Sequence, residues 1–135
     1  MLPDKIMPVY RDEEAVVLDQ IEAWFAAKQQ TVYTGTETPG DANLEDQLPF
    51  VRIGRTGGAP IRGSEHTDRP VIDVDVFAAT RAQGKQMAKE IEQVLLARQH
   101  PIDETNVLMS PQRVPWVEGV PIRRFYASYQ VSLRR

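Results

Sequence analysis

The sequence predicts an α+β fold, a small, mainly antiparallel sheet of four or five strands with two amphipathic helices packed on one face. Three observations predict it. Between Arg69 and Thr80 the apolar residues alternate, and beyond Thr80 they recur at helical spacing, so a strand runs almost without a loop into a helix. A second helical stripe lies near the N-terminus. The C-terminal stretch alternates again, with Phe125, Ala127, Tyr129, Val131 and Leu133 on one face. Helices separated by runs of strands point to α+β.

The elements follow in order. Pro3 and Pro8 keep the first residues extended or turned. A helix starts near Asp12, with Glu13 and Glu14 in its first turn, where carboxylates suit the positive end of the dipole. Val17, Leu18, Ile21, Trp24 and Phe25 form its buried stripe, and it ends near Lys28. Thr31 to Thr34 is a short first strand. Gly35 to Gln47 is polar and holds Pro39, Gly40, Asp41 and Asn43, so it reads as a loop. Leu48 to Arg55 is a second strand with Pro49 at its start or on an edge.

Thr56 to Thr67 holds Gly57, Gly58, Pro60 and Gly63 and reads as a long binding loop. In the third strand Ile72, Val74, Val76 and Ala78 face one way, and Val71, Asp73, Asp75 and Phe77 the other. Thr80, with Gln83 three residues on, fits a capping box. The helix that follows carries Met87, Ala88, Ile91, Val94 and Leu95 on its apolar stripe and stops at His100 and Pro101. A fourth strand lies near Thr105 to Met109 and continues irregularly through Pro111, Pro115 and Trp116. Gly119 and Pro121 mark a turn before the last strand.

At 135 residues the chain is a single domain with room for one core. A net charge of -3 argues against a dedicated DNA binder. The absence of cysteine removes disulfides, zinc–thiolate sites and thiol nucleophiles. No apolar run reaches the ~18 residues of a membrane span, and Met1 to Ile6 lacks the layout of a signal peptide, which suits a protein kept inside the cell unless it leaves in a larger assembly.

The search for chemistry yields little. Asp73 and Asp75 share a strand face roughly 7 Å apart, a pair able to hold Mg²⁺ or to act as acid and base. The same pair suits a solvated or subunit-facing surface, and no further Asp, Glu or His is spaced to complete a site. Gly54-Arg55-Thr56-Gly57-Gly58 lacks the Gly-Lys-Ser/Thr ending of a phosphate loop. His66 and His100 are isolated. Arg123, Arg124, Arg134 and Arg135 make the C-terminal end basic, suited to nucleic acid or to a neighbour's carboxylates. Trp116, Tyr126 and Tyr129 are either interface aromatics or core, with core favoured for Tyr129. No catalytic, cofactor or metal residue is assigned, and the chain reads as a non-enzyme.

Three segments carry a resemblance. They are Leu48-Pro-Phe-Val-Arg-Ile with its glycine-containing loop, Asp68-Arg-Pro-Val-Ile-Asp-Val-Asp-Val-Phe-Ala-Ala-Thr-Arg-Ala, and Pro115-Trp-Val through Val120-Pro-Ile-Arg-Arg-Phe-Tyr-Ala-Ser-Tyr-Gln-Val-Ser-Leu. In this order they resemble the tail terminator (neck, or tail completion) proteins of long-tailed bacteriophages, the actinobacteriophage type above all. Gly35 to Gln47 and Asp103 to Arg113 match least. The resemblance implies a small antiparallel sheet flanked by helices and a homohexameric ring. The ring caps the tail tube, ends tube polymerisation and joins it to the head connector or stopper protein. DNA passes through the lumen without specific binding, no membrane is involved, and the protein resides in the virion tail or neck after assembly in the host cytoplasm. Under this reading Arg55, Thr56, Gly57, Gly58, Arg62, Asp73, Asp75, Trp116, Arg123, Arg124 and Tyr126 are the expected interface residues. The alternatives are a head-side stopper or adaptor ring, a metal-dependent nuclease using Asp73 and Asp75, and a non-viral binding module.

Overall fold

The structure, a computed structural model, describes residues 12–39, 44–60, 67–116 and 120–134. Pro3, Pro8, Arg62, His66, Gly119 and Arg135 lie outside the described residues. The described residues form helices α1 (Glu13–Ala27) and α2 (Arg81–Leu96) and strands β1 (Tyr33–Gly35), β2 (Phe50–Pro60), β3 (Thr67–Ala78), β4 (Ile102–Val114) and β5 (Arg123–Arg134). The strands make one sheet in the order β1-β2-β3-β5-β4. β1 runs parallel to β2, and the other three pairings are antiparallel. The fold is α+β, as the alternating periodicities predict.

Both helices lie on one face of this sheet. Asp12 caps α1, its carboxylate accepting from the Glu14 and Ala15 amides at 3.1 and 3.2 Å. Thr80 caps α2, its hydroxyl accepting from the Gln83 amide at 3.2 Å. Val17, Ile21 and Phe25 from α1 and Met87, Ala88, Ile91 and Leu95 from α2 pack onto alternate residues of β2, β3 and β5 to form the main core. Trp24 departs from the expected stripe and is 41% exposed. It sits one residue before Phe25, about 100° around the helix. That turns its ring out of the core, into a groove beside α2, with Lys28 Nζ 5.8 Å from the ring centroid.

A second apolar cluster covers part of the other sheet face. Leu44, Phe50, Phe77 and Ile122 are buried there with Leu48, Trp116 and Val120 against them. Trp116 meets Phe77 edge to face, with centroids 4.9 Å apart. Leu44, within the stretch read as a polar loop, is buried in this cluster. A short 3-10 turn (Glu45–Gln47) follows it.

Two strands are longer than their hydrophobic patterns suggest. Thr56 to Pro60 is not loop: β2 continues to Pro60 and pairs with β3 from Thr67, through a register shift between Arg55 and Gly57. Gly58 holds φ +86°, and a Cβ there would lie 2.0 Å from the Arg69 carbonyl oxygen. Glycine marks a bulge as readily as a loop, and here it marks the bulge. β4 spans Ile102–Val114: it begins ahead of the expected Thr105, and the irregular continuation expected past Met109 is strand as far as Val114, with three register shifts along its length. Pro111, which has no amide to donate, is tolerated at a shifted position on an edge strand.

Tyr129 is fully buried, with its hydroxyl 3.3 Å from Glu92 Oε1. Burial, then the neighbouring carboxylate, pushes the phenol well above its ordinary range. The folded protein holds this proton to higher pH than the unfolded chain does. Above about pH 10, where an unfolded tyrosine ionises, unfolding releases a proton and rising pH lowers stability; below that pH this group adds no slope. Melting curves of wild type and Tyr129→Phe between about pH 8 and 11 should therefore run parallel at first and converge at the alkaline end. A constant gap would show that Tyr129 does not titrate on unfolding.

Candidate functional site

The sheet face away from the helices carries a polar network. Asp75 sits at its centre, buried between β2 and β5, since β3 pairs with both strands. Arg52 donates to Asp75 Oδ2 through Nε at 3.2 Å and Nη2 at 2.6 Å, and Arg124 Nε donates to Oδ1 at 2.7 Å. Each guanidinium also stacks on an aromatic ring, Arg52 5.7 Å from Phe77 and Arg124 5.7 Å from Trp116. Two residues along, the Tyr126 hydroxyl donates to Asp73 Oδ1 at 2.7 Å. Partial burial and then this carboxylate raise the Tyr126 phenol above its ordinary value.

This arrangement bears on the nuclease alternative. A divalent cation needs free carboxylate oxygens, and both oxygens of Asp75 already accept from cations. Among the described residues no three His, Cys, Asp or Glu side chains come together as a metal site. Asp73, Asp75, Trp116, Arg124 and Tyr126, all expected at an interface, are brought together on one face and hold each other there.

Arg55 is committed differently. Its guanidinium grips Asp68 at 2.7 and 3.2 Å, donates to the Gly57 and Gly58 carbonyls at 3.1 Å each, and lies 3.5 Å from Glu13. Its amide donates to Glu14 Oε2 at 3.1 Å. The Asp68 hydrogen bonds raise its pKa further above the ordinary arginine value. Arg55 therefore staples the bulge of the β2–β3 arm to the start of α1. Thr56, Gly57 and Gly58 are exposed beyond it. Arg123 is half-buried opposite Ala78 at the start of β5. Arg134, at the other end, is tied to Asp103 of its own chain at 2.5 Å.

Two surfaces escape the sequence reading. The first is the outer edge of β4, where Val107, Leu108 and Met109 are 40, 54 and 41% exposed. The run of three apolar residues is visible in the sequence, but only the strand order makes it an edge. The second is a groove of about 310 Å³ between α2 and β4, lined by Arg81, Lys85, Lys89 and Arg113. The spacing of four between the helix cations is a signal that marks one face. In comparison with known proteins, the chain matches no family model and no curated protein.

Proposed function

We propose that this protein is a structural component of a phage virion that associates into a ring, caps the tail tube, ends its polymerisation and joins it to the head connector. The observation that carries the reading is the β4 edge. A long edge strand with open backbone donors and acceptors and three consecutive exposed apolar side chains is an aggregation liability for a monomer. It suits a protein whose work is association. The order of the Leu48, Asp68 and Pro115 segments supports the choice of the tail terminator among ring proteins. The polar network supports it indirectly, because Asp75 is occupied by two arginines and Asp73 by the Tyr126 hydroxyl.

Native mass spectrometry of the purified chain, alone and mixed with a tail tube protein, tests the proposal. The expected result is a hexamer mass in at least one mixture and shorter tubes when the protein is added during tube growth. A monomer in both, with tube length unchanged, overturns it.

A further inference from the structure

We infer that the subunit contact is head to tail, with the basic α2–β4 groove of one copy receiving the acidic β1-side edge of the next. The inference rests on the ring reading and goes beyond it by naming the two contacting surfaces and the charge that selects them.

The basic surface is built by α2 and β4 together. Arg81, Lys85 and Lys89 are spaced four apart, about 6 Å per step along the helix. With Arg113 from β4 they line one groove. All four are exposed, and none makes a salt bridge among the described residues. Among the described residues that line the groove, Glu92 carries the one carboxylate, and it already accepts from Ser110 at 3.4 Å and Tyr129 at 3.3 Å. The apolar Val107 to Met109 run lies on the same strand, so a partner reaching this edge meets both cations and apolar surface.

The acidic surface lies across the sheet. Lys28 pairs with Glu90 and Gln20 reaches Gln99, which puts that flank of α1 against α2. The other flank faces β1, where the Thr34 hydroxyl donates to Glu22. Asp19 and Glu22 on α1, and Glu37 just past β1, are exposed, and none makes a salt bridge among the described residues. β1 and β4 are the two outer strands of the sheet. Unpaired cations therefore gather on the β4 side and unpaired carboxylates on the β1 side, with Glu104, near the start of β4, as an exception. Each edge repels its own kind and attracts the other, so two copies are steered into a heterologous contact rather than a two-fold one. A heterologous contact is the kind that generates rings.

Charge reversal tests this in the mixture where wild type assembles. Lys85→Glu/Lys89→Glu and Glu22→Lys/Glu37→Lys are made separately, with far-UV circular dichroism and melting curves confirming that each folds. Each variant alone should lose assembled material by about tenfold or more, since every contact then opposes like charges. Mixing the two variants in equal amounts should restore assemblies containing both in 1:1 ratio, because alternation places opposite charges at every contact. Raising the salt concentration should weaken the wild-type assembly as exposed charges are screened. Several outcomes overturn the inference while leaving the ring itself standing. They are a variant that assembles like wild type, a mixture that stays dissociated, and a Lys85→Glu/Lys89→Glu chain whose only loss is binding of a labelled single-stranded oligonucleotide. Wild type that never assembles overturns the inference and the ring reading together.

Discussion

Asp75→Ala is expected to lower the stability of the folded chain by about 3 kcal/mol. The carboxylate is buried, and its removal leaves Arg52 and Arg124 facing each other across the site with no anion between them. Breaking a buried ion pair by deleting one partner costs roughly 3–5 kcal/mol. The lower end applies because the two arginine side chains keep 30 and 24% of their surface in water, which partly solvates the stranded charges. Urea unfolding of wild type and variant gives the difference directly, through a lower midpoint at unchanged slope. Replacing Arg52, Asp75 and Arg124 together by Met, Leu and Met should recover much of the loss, since the cost lies in the unpaired charges rather than in the missing contacts. A change for Asp75→Ala within about 0.5 kcal/mol, the level of an ordinary surface substitution, would remove the network from the account of what holds this face together.

Gly84→Val should be strongly disruptive, with a loss of about 3 kcal/mol from overpacking. Gly84 is buried in the first turns of the helix, where a Cβ would come within 2.8 Å of Phe125 Cδ2 and Cε2 and 3.4 Å of Ala78 Cβ. Phe125 is itself buried in the main core and also lines the α2–β4 groove, so relieving the clash requires its ring to swing out of its packed position toward that groove. Gly84→Ala separates two opposing effects. Helix propensity favours alanine by about 1 kcal/mol, while the clash with Phe125 opposes it, and we expect the clash to win. In a Phe125→Leu background the order should reverse, with Gly84→Ala becoming stabilising because the space is open. Thermal or urea melts of the four chains make a double-mutant cycle. Gly84→Ala stabilising the otherwise wild-type protein would show that the helix stands off the sheet further than the contact implies.

Wherever hydrophobic period and capping chemistry agree, the element is legible in the sequence. α2 is the clearest case. Its stripe of Met87, Ala88, Ile91, Val94 and Leu95 is buried, and the Thr80 cap lies where the period changes. β5 is equally plain, since Phe125, Ala127, Tyr129, Val131 and Leu133 are all buried. Asp12 and the first turn of α1 follow from the same chemistry. The departures arise where one residue type serves two purposes. Trp24 is apolar, and apolarity alone puts it in the core; its angular position puts it at the groove. Gly57 and Gly58 suggest a loop by composition, yet they permit a bulge that keeps β2 paired to Pro60. β4 looks broken by Pro111, although its open outer edge tolerates what a central strand would not.

The candidate site shows the same division. Sequence reasoning gathered Asp73, Asp75, Trp116, Arg124 and Tyr126 as interface residues without a reason to connect them; the register of β3 against β2 and β5 connects them through hydrogen bonds and ring contacts. Arg55 stood in the same group, and the structure turns it inward to Asp68 and the bulge carbonyls.

The sequence by itself determined the fold class, the two helices, the Thr80 cap, and the apolar faces of β3 and β5. Each of these depends on neighbours within a turn or two of chain, so the pattern of side chains suffices to specify it. Only the tertiary structure decided the strand order, the parallel β1–β2 pair, the arginines that occupy Asp75, and the placing of opposite charges at opposite edges. Those features depend on which distant segments pair, and pairing is chosen by the burial of the whole core, a collective quantity that no single stretch of residues carries.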